Sequence, residues 1–189
     1  APTTLRARPL AVPTDAPDFV QRVTRLLIEG RGDELPVSAF PPDGTWPTGT
    51  SRFEKRALAT EIPIWQTDLC VQCNRCVMIW PHAAIRAKVF SADAVTDAPQ
   101  GFRTMPESFA PELEGQYYAL QVAPEDCTGC GLCVEVCPAK DRRQPRRKAL
   151  VMEPLADHRT TERDAFAFFE RIVQAPLAEL PVDGRTVGF

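Results

Sequence analysis

The stretch Cys127-Thr-Gly-Cys130-Gly-Leu-Cys133-Val-Glu-Val-Cys137-Pro138 has the cysteine spacing C-x2-C-x2-C-x3-C-P. This spacing is typical of bacterial domains that hold two iron–sulfur clusters. Iron–sulfur clusters require soft thiolate ligands, and the first three cysteines can surround one cluster within a single loop. A zinc site is the alternative, but zinc sites usually combine two C-x2-C pairs that lie some distance apart.

An earlier run repeats this pattern and differs from it at one position. It is Cys70-Val-Gln-Cys73-Asn-Arg-Cys76-Val-Met-Ile-Trp80-Pro81, with tryptophan where the fourth cysteine is expected and with the following proline retained. In paired runs of this type, the fourth cysteine of one run binds the cluster held by the other run. The two runs are therefore expected to share their ligands.

This exchange of ligands predicts one complete cluster and one incomplete cluster. The first is expected to be a [4Fe-4S] cluster bound by Cys70, Cys73, Cys76 and Cys137. The second would be bound by Cys127, Cys130 and Cys133, with its fourth ligand position at Trp80. Indole offers an N–H donor but no soft lone pair, so Trp80 cannot bind iron.

Three explanations of Trp80 remain open. In the first, the second centre is a degraded or [3Fe-4S] cluster, or a [4Fe-4S] cluster with water or another side chain at one corner. In the second, Trp80 is a natural or engineered variant that disables the electron relay. In the third, Trp80 is a misread residue, because cysteine and tryptophan codons differ by one base. We favour the second and third explanations.

The composition limits the possible classes of protein. The chain has 189 residues, of which 44% are hydrophobic and 25% charged, with a net charge of -3. No apolar run approaches the ~20 residues of a membrane span, no signal peptide is recognisable, and the charge does not favour nucleic-acid binding. All seven cysteines lie in the two runs, and such clustered, reduced thiols predict a cytoplasmic protein.

The order of helical, proline-rich and cysteine-rich segments along the chain predicts an α+β fold with four regions. Residues 1–30 form a linker and an amphipathic helix that ends at Gly30, and residues 31–60 form an irregular, proline-rich arm. Residues 61–153 form the two-cluster domain, with an inserted loop at 91–117. Residues 154–189 form a connector helix, predicted at 160–173 with Thr161 as its cap, and a linker. Both termini suggest that the chain is a segment of a longer protein.

Within the two-cluster domain, each half is expected to read strand, cluster loop, short helix, strand. This internal repeat predicts a ferredoxin-like duplicated fold with flanking helices and long irregular arms. The helix of the first half is predicted at 81–86. The strands are predicted at 62–65, 87–90, 118–122 and 149–152.

A basic segment follows the second cysteine run. We expect it to attract an acidic electron-transfer partner, although a solvated turn is the simpler interpretation. The candidate docking residues are Lys140, Arg142, Arg143, Arg146, Arg147 and Lys148. His82 is expected to lie near a cluster or at the surface, with replacement of the missing ligand as its alternative role, and His158 is expected at the surface.

Several motifs together resemble the single-long-chain type of pyruvate:ferredoxin (flavodoxin) oxidoreductase. They are the arm motif Gly44-Thr-Trp-Pro-Thr-Gly-Thr50 with Phe53-Glu54-Lys55-Arg56, the segment Glu61-Ile-Pro-Ile-Trp65, and both cysteine runs. The resemblance covers roughly residues 25 to 175. The Glu54-Lys55-Arg56 arm is more specific than the cysteine runs, which many ferredoxin-like domains share.

The resemblance implies that this chain is the electron-relay segment of a larger homodimeric enzyme. Such an enzyme converts pyruvate and coenzyme A to acetyl-CoA and CO2 and passes electrons to ferredoxin or flavodoxin. Thiamine diphosphate, magnesium, the coenzyme A site and a third [4Fe-4S] cluster would lie in other domains, so this segment has no catalytic residue of its own. Two alternatives are a free-standing two-cluster ferredoxin that carries electrons and a structural iron–sulfur domain used for interaction.

Overall fold

The computed structural model describes residues 11–79, 82–108, 110–176 and 183–186. Trp80 and Pro81 lie outside the described residues. The chain divides after Arg56 into two compact units. No helix among the residues described is long and apolar enough to cross a membrane.

The first unit contains one helical segment and a proline-rich arm. A π-helical turn at Val20–Thr24 continues into α1 (Arg25–Ile28). The helix ends where Gly30 adopts a φ of 74°, with Gly30 N–H donating to Leu27 O at 3.1 Å and Arg31 N–H to Leu26 O at 2.8 Å. This pair of bonds satisfies the last carbonyls of a helix and needs a left-handed residue, which explains the predicted stop at glycine.

The arm is ordered by aromatic contacts around Trp46. The Trp46 ring packs edge-on against Phe19 at 4.9 Å and beside Phe40 at 6.2 Å, and its Nε1 donates to Thr50 Oγ1 at 3.1 Å. Phe53 packs against the small buried cluster that includes Val20. Short 3₁₀ turns interrupt the arm, at Gly32–Glu34, Val37–Ala39 and Thr50–Phe53.

The second unit contains two antiparallel sheets. Its strands are β1 (Glu61–Trp65), β2 (Ile85–Phe90), β3 (Met105–Pro106), β4 (Tyr117–Val122) and β5 (Leu150–Pro154). β1 pairs with β5, and the second sheet has the order β2-β4-β3. Its helices are α2 (Arg75–Met78), α3 (Leu132–Glu135) and α4 (Leu155–Arg171). The sheets hold the two cysteine runs, since each run joins a strand end to a short helix.

The buried core lies between these sheets and α4. β1 and β4 are buried on almost every residue, and their apolar side chains include Ile62, Ile64 and Leu120. Glu162 of α4 is only 3% exposed, but Arg103 pairs with it at 2.8 Å and Gln121 Nε2 donates to it at 2.6 Å. These partners compensate the buried charge, which would otherwise destabilise the fold.

Two predicted helices differ from the observed ones. The helix predicted at 81–86 is absent from its described part, because residues 82–84 form a turn and loop and Ile85 already pairs with Val122 in the sheet. The connector helix begins at Leu155, directly after Pro154, so Thr161 lies inside the helix and does not cap it. Proline fixes its own φ and is compatible with a helix start, which explains this boundary.

The segment between β2 and β4 is largely irregular and includes 3₁₀ turns at Ala92–Val95 and Pro111–Leu113, with the short strand β3 between them. Gln72, in the first cysteine run, is completely buried and connects this segment to the loop of that run. Its Nε2 donates to Pro106 O at 2.7 Å, and its Oε1 accepts from Ser108 N at 3.0 Å. The inserted segment is therefore fastened to the first cysteine loop.

Candidate iron–sulfur sites

The structure brings together the four cysteines predicted to bind the first cluster. Cys70, Cys73, Cys76 and Cys137 all line one cavity, which is otherwise mainly apolar and is walled by Trp65, Tyr118, Leu120 and Leu150. Cys76 lies on α2, while Cys137 comes from the other half of the domain, just after α3. The cavity is lined by four thiols and exposes little surface to water. Both properties fit an iron–sulfur cluster, whose stability depends on exclusion of solvent.

The three remaining cysteines form a second group around α3. Cys127 and Cys133 are buried and Cys130 is exposed. The pKa of Cys133 is raised first by burial and then by the charges of Cys127 and Cys130. The fourth ligand position of this group, residue 80, falls outside the described residues.

The two groups of thiols lie beside each other. The short helices α2 and α3 contact one another. The pKa of Cys76 is raised first by burial and then by the charges of its own group, and the Cys133 thiol of the other group also contributes. Adjacent groups of this kind are the arrangement that allows an electron to pass between two clusters.

Burial makes these thiols poor acids in the absence of metal. Burial is the main cause that raises the pKa of Cys133 to about 12, and it also raises the pKa of Cys70 and Cys127. Only the thiolate binds metal, so cluster assembly must displace these protons.

Backbone N–H groups donate to one sulfur in each group. Gln72 N–H donates to Cys70 Sγ at 3.4 Å, and Gly129 N–H donates to Cys127 Sγ at 3.4 Å. Both donors follow their cysteine by two residues and both have positive φ, 51° for Gln72 and 70° for Gly129. The N–H group of Gly129 therefore approaches a cysteine sulfur, and the first run achieves the same geometry without glycine.

The buried polar residues that replace glycine in the first run were not predicted from the sequence. Gln72 and Asn74 occupy the positions of Gly129 and Gly131, and all four have left-handed backbones. Tyr118 Oη donates to the Asn74 Oδ1 at 2.7 Å, and the Asn74 Nδ2 donates to Arg185 O at 2.5 Å. These bonds compensate the cost of about 1–2 kcal/mol that a left-handed backbone imposes on residues other than glycine. Aligning the two runs position by position would have revealed both residues.

Paired substitutions at Gln72 should separate backbone strain from side-chain bonding. Gln72→Ala removes the bonds to Pro106 and Ser108 and keeps the strained left-handed backbone, so it should destabilise the loop by about 1–3 kcal/mol. Gln72→Gly removes the same bonds but also relieves the strain, so its loss should be about 1 kcal/mol smaller. The measurement is the urea concentration at which the reconstituted chain loses half of its visible cluster absorbance. An alanine variant as resistant as the unchanged chain would contradict this role of Gln72.

Among the described residues, no group of three or more His, Cys, Asp or Glu side chains is placed to hold a single metal ion.

Two of the six basic candidate docking residues make internal contacts. Arg147 binds Asp68 at 3.1 Å and Asp141 at 3.3 Å, and Lys148 Nζ donates to Val134 O at 2.6 Å and Glu135 O at 3.2 Å. Lys148 thus binds carbonyls at the end of the helix that carries Cys133. Lys140, Arg142, Arg143 and Arg146 are exposed.

The histidines lie at the edges of this domain. His82 is exposed, directly after the residues that the structure does not describe. His158 lies at the start of α4 with its Nε2 2.6 Å from Glu153 Oε2. Neither histidine lines the cavity of the first cysteine group.

Comparison with known families divides the chain in a similar way. Residues 69–140 match a family described as a 4Fe-4S dicluster domain. Residues 6–59, which include Glu54-Lys55-Arg56, match a domain of unknown function.

Several long proteins resemble most of the chain. A protein of Escherichia coli K12 named as a probable pyruvate-flavodoxin oxidoreductase is 51% identical over 95% of this chain and 15% of its own length. The pyruvate-flavodoxin oxidoreductase of Rhodospirillum rubrum is 52% identical over 72% of this chain and 11% of its own. The pyruvate:ferredoxin oxidoreductase of Moorella thermoacetica is 43% identical over 86% of this chain and 13% of its own. The chain therefore spans about one seventh of the length of these relatives.

Proposed function

We propose that this chain, which is a segment of the pyruvate-flavodoxin oxidoreductase family, relays electrons through two adjacent iron–sulfur clusters. The observation that carries the proposal is the grouping of the cysteines into a set of four and a set of three, beside two short helices that contact each other. Iron–sulfur clusters supply one-electron chemistry when bound. The protein supplies thiolates, nearby N–H donors and an apolar lining that excludes water.

The first cluster would be a [4Fe-4S] cluster held by Cys70, Cys73, Cys76 and Cys137. Cys137 belongs by sequence to the second run, but it lines the cavity of the first. The apolar wall excludes water from this site. Gln72 N–H stabilises the negative charge on Cys70 Sγ.

The second cluster would be held by Cys127, Cys130 and Cys133, with position 80 as its fourth ligand position. Cys130 is exposed, so this cluster would lie nearer to solvent than the first. The three explanations of Trp80 apply to this cluster alone. In the sequence, the basic segment follows the second cysteine run, which holds this cluster.

The strand pairing supports a duplicated fold. β1, the first loop, α2 and β2 form one half, and β4, the second loop, α3 and β5 form the other. β1 pairs with β5 while β2 pairs with β4, as expected if the halves are two copies related by a two-fold exchange. Such an exchange places each fourth ligand in the opposite half.

The complete enzyme would oxidise pyruvate with coenzyme A to acetyl-CoA and CO2. Thiamine diphosphate, magnesium, coenzyme A and a third [4Fe-4S] cluster would bind in other domains of a cytoplasmic homodimer, and a flavodoxin or ferredoxin would accept the electrons. The names of the long relatives support the substrate and acceptor. The described cysteine groups support only the relay within this segment.

The exposed basic residues Lys140, Arg142, Arg143 and Arg146 are the proposed contact for an acidic electron acceptor. Arg147 and Lys148 would instead maintain the structure around the clusters, because their charges are engaged by Asp68, Asp141 and helix carbonyls. Complementary surface charge accelerates association more than it strengthens the complex.

The relay can be tested by mixing dithionite-reduced, reconstituted chain with oxidised flavodoxin in a stopped-flow spectrometer. The relay predicts reversible reduction of the clusters and appearance of flavodoxin semiquinone. Neutralising Arg142, Arg143 and Arg146 together should slow the second-order step about tenfold at low salt. The difference should vanish at 1 M salt, where the Debye length is about 3 Å.

Clusters that assemble but cannot be reduced and reoxidised would contradict the relay and favour a structural iron–sulfur domain. A charge-neutral variant that reacts as fast as the unchanged chain at low salt would contradict the docking role alone.

A further inference from the structure

The buried indole N–H group of Trp65 has no hydrogen-bond partner among the described residues. The residue ends β1 and its side chain is only 4% exposed. A buried donor left unpaired costs about 1–3 kcal/mol, so an apolar ring such as phenylalanine would suit a purely structural position better.

The indole of Trp65 lies against the first cysteine group. Trp65 lines the same cavity as Cys70, Cys73, Cys76 and Cys137. Its ring packs edge-on against Tyr118, with ring centroids 5.7 Å apart, which fixes the orientation of the indole.

We propose that the Trp65 indole N–H donates a hydrogen bond to a sulfur of the first cluster and thereby raises the reduction potential of that cluster. The inference rests on the proposed first cluster. Reduction adds negative charge to the cluster, so a donor to its sulfur stabilises the reduced state more than the oxidised state. Trp65 is a positioning and tuning residue and does not bind iron.

Among the described residues, the position in the second half that is equivalent to Trp65 carries no side-chain donor. Trp65 precedes Cys70 by five residues, and the residue five before Cys127 is Val122, which is buried and has no side-chain donor. The backbone donors Gln72 and Gly129 are equivalent in the two groups. Trp65 would therefore make the two potentials unequal and favour electron transfer toward the first cluster.

The test is an EPR-monitored redox titration of the reconstituted chain and its Trp65→Phe variant. Phenylalanine keeps an aromatic wall but removes the N–H group. The equilibrium constant for reduction of the first cluster should fall about three- to tenfold, a shift of about 30–60 mV to lower potential at 59 mV per tenfold. Trp46→Phe is the matched control, because it removes an indole N–H that is bonded to Thr50, and it should leave the potential unchanged.

A second measurement does not depend on the Trp65 variant. In a Trp46→Phe, Trp80→Phe double variant, Trp65 is the remaining tryptophan of the three and can be labelled with 15N in the indole. A 15N hyperfine coupling in the EPR signal of the reduced first cluster is expected. No coupling, or an unchanged potential in a Trp65→Phe chain with full cluster content, would overturn the inference. Failure of the unchanged chain to form the first cluster would instead overturn the proposed function.

Discussion

A Cys137→Ala variant is expected to lose the first cluster and to keep the second. By sequence alone, Cys137 is the last member of the second run. In the fold its thiol lines the cavity with Cys70, Cys73 and Cys76. Removal of one of four thiolates should therefore remove or degrade the cluster at that cavity, with a loss of about one to four iron atoms per chain.

The comparison that decides this prediction uses one variant from each cysteine run. The EPR spectrum of Cys137→Ala should match that of Cys73→Ala, which removes a first-group ligand, and differ from that of Cys130→Ala. A Cys137→Ala spectrum that matches Cys130→Ala would contradict the exchange of ligands between the halves. Cys137→Ser tests whether an oxygen ligand partly restores the first cluster.

A Trp80→Cys variant is expected to complete the second cluster. Cysteine at position 80 would supply the missing thiolate to the group of Cys127, Cys130 and Cys133. The iron content should rise by about one atom per chain if the unchanged chain holds a three-iron centre. After reduction, two four-iron centres close enough to interact should broaden each other's EPR signals.

Trp80→Ser and Trp80→Ala are the controls for this second prediction. Alanine removes the bulk of the indole without adding a ligand, so it should not restore a full second [4Fe-4S] signal, and serine should restore at most a weaker one. If the unchanged chain already shows two interacting four-iron centres, the argument from the missing ligand is wrong.

Cysteine spacing predicted more of the site than residue propensity did. The chemistry of thiolates restricts which residues can bind the clusters, so the intervals between the cysteines were sufficient to propose both groups. The predicted strands also lie close to the observed ones, because apolar runs such as 62–65 and 118–122 are buried in the two sheets.

The missed features depend on contacts that are distant in sequence. The helix predicted at 81–86 fails because Ile85 pairs with Val122 across the sheet. Glycine is the residue that local propensity favours for a left-handed backbone, so nothing local marked Gln72 and Asn74 as its replacements. Their buried bonds to Pro106, Tyr118 and Arg185 join segments far apart in the chain.

The division of the basic segment into two roles also needed the fold. Arg147 and Lys148 look like their neighbours Arg142 and Arg146 in the sequence. Only the fold brings Asp68 beside Arg147 and the end of α3 beside Lys148. Surface charge counted from sequence therefore overestimated the number of cations available to a partner.

The iron and acid-labile sulfide content of the reconstituted chain, measured together with EPR after dithionite reduction, tests the two-cluster assignment most directly. The account predicts roughly seven to eight iron atoms and about eight sulfides per chain, with signals from two centres. Bound zinc without sulfide, or about four iron atoms with a single signal, would contradict the assignment of two clusters to this segment.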